Sequence, residues 1–233
     1  EDRERVLELS RWTNQTGEPF SAEYRFQARD RSYVWVRDEA VLQRDPEGLP
    51  MLWQGVLIDV TARKQAELAL SRRDDMLEAI GFASEVLLKS PSWHGVVDEV
   101  LERFGVAARA SRAYLFSNRR DEDGRLLMSL ETEWVAHGVG STAHDPENTD
   151  YPYERGFSWW VTEMEAGNVV QVSVSQTQGE ERADMEAEDI KSLVVVPVIA
   201  NDEWWGYLGL DDCQSERVWS SAEIEALKTA ADT

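Results

Sequence analysis

Aromatic side chains are the residues of this sequence that could most readily form a binding site for a small molecule. The chain contains ten tryptophans. Aromatic walls suit planar small molecules, and such pockets carry only a few polar groups. The alternative is that these rings fill the core, which is the commoner fate of buried aromatic side chains. The candidate residues, whose assignment to a pocket depends on the family resemblance described below, are Trp134, Tyr151, Tyr153, Phe157, Trp159, Trp160, Val194 and Val196.

Metal and nucleophile chemistry have few candidates. His137 and His144 flank a polar loop and are the candidate axial haem ligands. The one cysteine, Cys213, follows the last strand-like run, so it offers neither an internal disulfide nor a thiol at the predicted pocket. Glycine-rich phosphate loops and paired histidine metal spacings are missing from the sequence. We therefore expect no catalytic residue, no metal site and no bound cofactor, and a colourless purified chain.

The charge of the chain excludes polyanionic partners. The formal net charge is −21, with −5 on residues 1–85 and −16 on residues 86–233. A field of this sign repels nucleic acid and anionic lipid. The sequence contains no apolar run of the roughly 18 residues that a membrane span needs. With one cysteine in 233 residues, the composition indicates a cytoplasmic protein. The chain begins without Met, and we interpret it as an excerpt of a longer protein.

The first third of the chain predicts a helix followed by a β-meander. An amphipathic start ends at the turn-forming run 14–17, and strand-like patterns then cover 20–28, 33–42 and 52–60. Three strands and one helix make a small core for a free-standing domain. We therefore expect the missing part of this domain to lie upstream.

A long helix is predicted from Thr61, a favourable N-cap residue. Apolar and small residues recur in it at alternating spacings of four and three, as in a heptad seam. This pattern predicts a parallel homodimer, in which Ile80→Lys would give a folded monomer. The alternative, of equal weight, is a helix that packs on its own domain. A parallel set, Leu70 and Leu77 with Ile80, widens the apolar face. The candidate seam residues are Ala66, Ala69, Met76, Ile80, Ala83 and Leu87.

The rest of the chain alternates helices and strands around a predicted antiparallel sheet, which makes the fold class α+β. Asn201-Asp202 predicts a hairpin turn, and Ser220 or Ser221 caps a last helix with Glu223 in its first turn. The predicted helices are 93–104, 157–165, 179–189 and the segment from 221. The predicted strands are 113–117, 126–135, 169–174, 192–198 and 204–210.

The early motifs carry a family resemblance. They are EYRF at 23–26, YVWV at 33–36, GVLIDVT at 55–61 and RKQAE at 63–67. Together they resemble the C-terminal part of a PAS domain, which we assign to residues 1–60. Asp59 and Thr61 lie where sheet becomes helix, so we predict that they couple this domain to the next one. The alternative for Asp59 is ordinary capping of the helix N-terminus, and both roles can hold at once. Arg31 departs from the glycine usual in the first hairpin, so we expect a different turn there.

The later motifs IKSLVVVPV at 190–198, WWGYLGL at 204–210 and WSSAEI at 219–224 resemble the end of a GAF domain. We assign 61–88 to a signalling linker helix that merges into a GAF domain at 76–233, whose last helix is cut short. The resemblance implies a small-molecule pocket between the sheet and the helices and loops that cover it, to which we assign the candidate residues named above. It also implies a non-catalytic sensory module of a bacterial two-component or related system. Its output domain would be a histidine kinase, diguanylate cyclase or phosphatase. The alternative function is a ligand-free dimerisation scaffold.

Overall fold

A computed structural model describes residues 2–29, 31–143, 145 and 148–232 of the chain. It divides into two compact units, an N-terminal unit of residues 1–71 and a C-terminal unit of residues 72–233. His144 lies outside the described residues. Within the described residues, no helix has both the length and the apolar content to cross a bilayer.

The N-terminal unit is a helix followed by a three-stranded antiparallel meander in the order β1-β2-β3, as predicted. Its elements are α1 (Asp2–Thr16), β1 (Phe20–Gln27), β2 (Tyr33–Arg44), β3 (Pro50–Asp59) and the start of α2 (Thr61–Lys89). In register, Tyr24 pairs with Val36, and Val36 pairs with Asp59. Asp2 ties α1 to β1 by accepting hydrogen bonds from the backbone N and Nε of Arg25.

The first hairpin corrects the expectation for Arg31. Its φ is 69°, so this arginine adopts the left-handed conformation that the family glycine would supply. The backbone N of Arg31 donates to the Ala28 carbonyl, and the N of Ala28 donates to the Ser32 carbonyl. The turn therefore keeps the glycine geometry, at the steric cost that positive φ imposes on a residue with a Cβ.

The C-terminal unit is built around a six-stranded sheet in the order β6-β5-β4-β9-β8-β7, and its strand pairs are antiparallel. The predicted mixed α+β class is confirmed. Two short 3₁₀ turns, Trp93–Gly95 and Val174–Gln176, join longer elements. The other elements are α3 (Val97–Ala108), β4 (Arg112–Arg120), β5 (Leu126–Val135), β6 (Tyr151–Pro152), α4 (Ser158–Glu165), β7 (Val170–Ser173), α5 (Gly179–Ala187), β8 (Ser192–Ala200), β9 (Glu203–Asp212) and α6 (Ser221–Ala231).

The two faces of this sheet bury two separate hydrophobic clusters, because successive strand residues point to opposite sides. The helical face packs against α2, α3 and α6. It carries Ala113, Leu115, Val194, Val196, Leu208 and Leu210. The loop face packs against α4, α5 and the segment around β6. It carries Tyr114, Phe116, Leu193, Val195 and Tyr207.

Two local predictions are confirmed at the end of the chain. Asn201 and Asp202 have φ values of 54° and 64°, as a type I′ hairpin between β8 and β9 requires. Ser220 caps α6 by accepting from the Glu223 backbone N, while the Glu223 carboxylate accepts from the Ser220 backbone N. This capping box sets the start of α6.

Candidate functional site

The candidate site is a cavity on the loop face of the six-stranded sheet, with a volume of about 110 Å³. Cavities of roughly 150 Å³ accept a molecule the size of benzene. Its floor comes from β4, β8 and β9, and its walls from β5, β6, α4, α5 and the loops beside them. The lining residues are Arg112, Tyr114, Phe116, Met128, Thr142, Asp145, Asn148, Tyr151, Phe157, Trp160, Asp184, Met185, Ala187, Glu188, Ile190, Leu193, Tyr207 and Asp211.

Aromatic rings form a connected wall of the cavity. Phe116 stacks on Tyr207 with ring centroids 4.9 Å apart, and Tyr207 meets the edge of Trp160 at 5.9 Å. Phe157 packs against Trp160 at 5.1 Å in a T-shaped arrangement. Tyr114 completes the wall at 5.8 Å from Phe116. Such contacts fix each ring, so the wall is already organised for an occupant.

Arg112 holds the polar end of the cavity. Its Nη1 donates to Asp211 Oδ2 at 3.0 Å, its Nε to the Gly140 carbonyl at 3.0 Å and its Nη2 to the Glu188 carbonyl at 2.9 Å. The Arg112 and Asp211 side chains are 5% and 1% exposed, so this ion pair is almost dehydrated. The β4–β9 pairing places both residues at one edge of the cavity, since Arg112 lies opposite Asp211 in the register.

Burial changes the proton affinity of the carboxyl groups here. It raises the pKa of Asp211 to about 6, even though Arg112 acts in the opposite direction. Burial also raises the pKa of Glu188, against the hydrogen bond from Asn148. Desolvation outweighs the nearby positive charge in both cases. Shifted carboxyl pKa values in a cavity are a frequent property of binding and catalytic sites.

Comparison with known families matches residues 92–233 to the GAF domain and residues 1–57 to the PAS fold. The chain belongs to the GAF domain family. It carries a PAS fold before the GAF domain, in the predicted order.

Of two curated relatives, one is named as a regulatory histidine kinase and the other as a sensor. The chain is 33% identical over 216 residues to the methanogenesis regulatory histidine kinase FilI of Methanothrix harundinacea, which covers 93% of this chain and 24% of that protein. It is 33% identical over 84 residues to the methyl sulfide methyltransferase-associated sensor of Methanosarcina acetivorans, which covers 35% of this chain and 8% of that protein. The chain thus spans about a quarter or less of these relatives, and it is a PAS–GAF sensory module.

Solved GAF structures share the fold at low identity. The solved structure of a far-red absorbing dark state with bound biliverdin matches this chain with a TM-score of 0.54 at 14% identity. The match covers 66% of this chain and 93% of that chain. The phycocyanobilin-bound GAF domain of a cyanobacterial phytochrome has a TM-score of 0.54 at 15% identity, with 67% and 90% covered. The structural similarity establishes the fold of the GAF domain. Because the sequence identities are this low, they do not identify its ligand.

The structure places the predicted pocket residues in four different environments. Tyr151, Phe157 and Trp160 line the GAF cavity. Tyr153 is buried on the same face but lies outside the lining, where its hydroxyl donates to Asn118 Oδ1 at 2.8 Å. Trp159 is 44% exposed, because its neighbour Trp160 takes the inward position on α4.

Three predicted pocket residues instead belong to the opposite face. Val194 and Val196 point toward the helices, because the alternation along β8 gives the cavity face to Leu193 and Val195. Trp134 packs on α3, where a Cβ added at Gly105 would overlap the indole ring. The pocket assignment of these three is therefore corrected.

The sequence interpretation missed the polar and central residues of the cavity. Arg112, Tyr114 and Phe116 alternate along β4, and Tyr207 and Asp211 lie on the same face of β9. Their period-two spacing is visible in the sequence, but the side of the sheet that each set faces is not. The charged ends, Arg112 and Asp211, resemble ordinary strand termini in the sequence.

Cys213 and His137, the remaining nucleophile and metal candidates among the described residues, do not line this cavity. Cys213 is half-buried, and desolvation raises the pKa of its thiol to about 11, which disfavours the reactive thiolate. Cys213 and His137 line a neighbouring surface hollow, which shares Arg112, Thr142, Asp145, Ala187 and Glu188 with the cavity. In the described part of the chain, no group of three or more metal-ligating side chains is found.

The predicted coupling residues form a hydrogen-bonded junction between the PAS sheet and α2. Asp59 Oδ1 accepts from the Thr61 backbone N at 2.8 Å, and Thr61 Oγ1 accepts from the Trp35 backbone N at 2.9 Å. Thr61 is therefore the first residue of α2 and not its N-cap, and it uses its hydroxyl to bind β2. Lys64 Nζ lies 2.8 Å from Glu23 Oε2 on β1, so the first turn of α2 is joined to two strands.

The predicted dimer seam is split between two environments. Met76 and Ala83 are 1% exposed in the core of the GAF domain, and Ile80 and Leu87 pack against that core. Packing on the helix's own domain, the alternative of equal weight, is therefore the observed arrangement for these four. Ala66 and Ala69 are exposed. On α2, Leu70, Leu77 and Leu88 are 58%, 55% and 77% exposed.

Proposed function

We propose that this chain is a sensing and coupling module in which a small molecule binds the GAF cavity and thereby changes the activity of an output domain in the same protein. A histidine kinase is the output that we favour, because the relative that matches almost all of this chain is named as one. A diguanylate cyclase or a phosphatase would accept the same input. The single cysteine suits a reducing cytoplasm.

The observation that carries this proposal is the buried ion pair at the polar end of an aromatic cavity in the GAF domain. A buried ion pair costs desolvation energy, and apolar residues of similar volume would stabilise the fold at least as well. Arg112 and Asp211 nevertheless lie beside the aromatic wall, with the raised pKa values of Asp211 and Glu188. Contacts with a bound molecule explain why these charged groups are buried here, whereas packing alone does not.

The proposed transmission route is the junction around Thr61. Both hydrogen bonds of Thr61 and the ion pair of Lys64 with Glu23 tie the first turn of α2 to the PAS sheet. The second half of α2 supplies Met76 and Ala83 to the GAF core. One continuous helix thus takes part in both units, and a two-state shift of such an element is a physical means of coupling them.

A cavity-blocking pair of variants tests the sensing role. Ala187 and Ala183 are both exposed on α5, but Ala187 lines the cavity and Ala183 lies outside the lining. A metabolite library is screened by thermal melting of the full 233-residue chain. We expect the ligands that raise the melting temperature to lose this effect in Ala187→Phe and to keep it in Ala183→Phe. A library without a single stabilising compound, or stabilisation that survives in Ala187→Phe, would contradict the proposal.

The second candidate function, a dimerisation scaffold, is favoured by the exposed leucines of α2. Leu70, Leu77 and Leu88 are separated by seven and eleven residues, so they share one side of the helix. We propose a parallel homodimer through this side. Sedimentation should show that Leu77→Lys yields a folded monomer, while Ile80→Lys destabilises the GAF domain. A wild-type chain that remains monomeric at about 100 μM would exclude the dimer.

A further inference from the structure

The lining of the GAF cavity has an excess of negative charge. Asp145, Asp184, Glu188 and Asp211 contribute carboxyl groups, and Arg112 is the guanidinium among them. The three hydrogen bonds of Arg112 go to Asp211 and to two backbone carbonyls, so its charge is already committed. Within the described residues, neither Asp184 nor Glu188 forms an ion pair; Asp184 accepts from the Tyr151 hydroxyl and Glu188 from the Asn148 amide.

The aromatic wall adds a second feature that favours positive charge. The faces of aromatic rings carry negative potential, and desolvated rings attract a cation more strongly than exposed ones. Phe116, Tyr207 and Trp160 are 8%, 4% and 3% exposed, so the contacts would be dry. Rings and carboxylates together match the chemistry of sites that bind alkylated ammonium groups.

A third feature is a tyrosine hydroxyl without a partner. Tyr114 is 8% exposed and lines the cavity, and among the described residues nothing hydrogen-bonds its hydroxyl. Because Tyr114 lines the cavity, an occupant can reach this unpaired hydroxyl and hydrogen-bond to it. The matched tyrosine is Tyr153, whose hydroxyl is bound to Asn118 away from the cavity lining. The Tyr114 hydroxyl is therefore available to a polar group of the occupant.

Building on the proposed sensing role, we infer that the GAF cavity binds a compact organic cation of the methylated ammonium class in preference to neutral or anionic molecules of the same shape. The cavity volume of about 110 Å³ is below the roughly 150 Å³ that accepts benzene, so the enclosed part of the occupant is a group smaller than benzene, such as a methylated ammonium head. The ammonium group faces the rings and the carboxylates, and a hydroxyl on the ligand bonds to Tyr114.

The protonation of Asp211 gives this inference a pH dependence. The groups that face Asp211 are Arg112 and Tyr114 on β4, Glu188 after α5 and Cys213 on its own segment. A bound cation stabilises the ionised carboxylate, so it lowers the pKa of Asp211 and releases a proton on binding. Affinity for the cation therefore decreases as the pH falls below about 6.

Three ligands of one shape test the charge preference. Choline is compared with its neutral tert-butyl analogue, 3,3-dimethylbutan-1-ol, in which carbon replaces nitrogen. The anion of the series is 3,3-dimethylbutanoate, the conjugate base of tert-butylacetic acid. Isothermal titration of the 233-residue chain at neutral pH should show choline binding at least about tenfold more tightly than the neutral analogue, and no binding of the anion. Tetramethylammonium should bind more weakly than choline, because it lacks the hydroxyl.

Two variants separate a local effect from the overall charge. Asp184→Asn keeps the acceptor for Tyr151 but removes the charge at the cavity, and Glu180→Gln removes an exposed charge from the same helix. We expect Asp184→Asn to weaken choline severalfold and to leave the tert-butyl analogue unchanged. Glu180→Gln should affect neither ligand. Equal weakening by both variants would mean that net charge alone attracts the cation, and the site assignment would fail.

The outcomes distinguish this inference from the proposed function. If the neutral analogue or the anion binds as tightly as choline, the cation preference is wrong while sensing at the cavity stands. If neither choline nor tetramethylammonium binds at about 10 mM, the inference is wrong whatever else binds. If, in addition, no library compound raises the melting temperature, the proposed sensing function fails with it.

Discussion

Adjacent positions on α2 should respond in opposite ways to the same substitution. Met76 is 1% exposed and belongs to the GAF core, whereas Leu77 is 55% exposed. Both residues and alanine are good helix formers, so Met76→Ala and Leu77→Ala leave the helix itself almost unchanged. The difference between the two variants therefore reports the burial of each side chain.

The expected magnitudes follow from the burial. Removing a buried methionine side chain costs about 2–5 kcal/mol, which combines the lost transfer free energy with the cavity left behind. An exposed substitution changes the free energy of unfolding by about 0.5 kcal/mol or less. Since 1 kcal/mol shifts the melting temperature of a domain of this size by about 2–4 °C, a loss of about 3 kcal/mol predicts a decrease of roughly 6–12 °C for Met76→Ala.

The assay is thermal and urea unfolding followed by circular dichroism, at two protein concentrations. Leu77→Ala should match the wild type at the lower concentration, where any dimer has dissociated. At the higher concentration, it should lose the stabilisation that a dimer adds. If Leu77→Ala destabilises the dilute chain as much as Met76→Ala does, our assignment of the two sides of α2 is wrong.

Three further predictions concern single groups in the GAF domain. Gly105→Ala should lower the free energy of unfolding by about 1–3 kcal/mol, because the added Cβ overlaps the Trp134 ring; unchanged urea unfolding would contradict this contact. Ser220→Ala should cost about 1 kcal/mol through loss of the α6 cap to Glu223, and Ser220→Asp, measured in the same way, should restore most of it. Burial raises the pKa of Asp211 to about 6, above the value of about 3.9 in unfolded chains, so this group stabilises the fold below pH 4 and loses that contribution as the pH rises through 6. Asp211→Asn should remove this part of the pH dependence, and a variant with the wild-type slope would show that another group titrates.

Much of the architecture followed from local rules in the sequence. The meander of the N-terminal unit follows from the period-two pattern of its strands, and the β8–β9 hairpin follows from Asn201-Asp202. Ser220 with Glu223 fixed the start of the last helix. These features depend on residues close together in the chain, so a sequence read in order contains the interactions that form them.

Tertiary structure decided which face each element presents. The heptad-like spacing of α2 was compatible with a partner helix or with the GAF core, because both bury an apolar stripe of the same period. Packing against α3 and α6 assigned Met76, Ile80, Ala83 and Leu87 to the core. The stripe with Leu77 was left exposed.

For the cavity, too, the sequence determined the local pattern and the tertiary structure determined which side of the sheet is used. Strand alternation shows that Val194 and Val195 point to opposite sides of β8, but only the layers packed on the sheet determine which side holds a cavity. Arg112 and Asp211 are 99 residues apart in sequence and become an ion pair through the β4–β9 register. The sequence by itself determined the strands, the turns and the supply of aromatic side chains. The fold determined which of them surround the cavity, because burial and long-range pairing are properties of the packed chain.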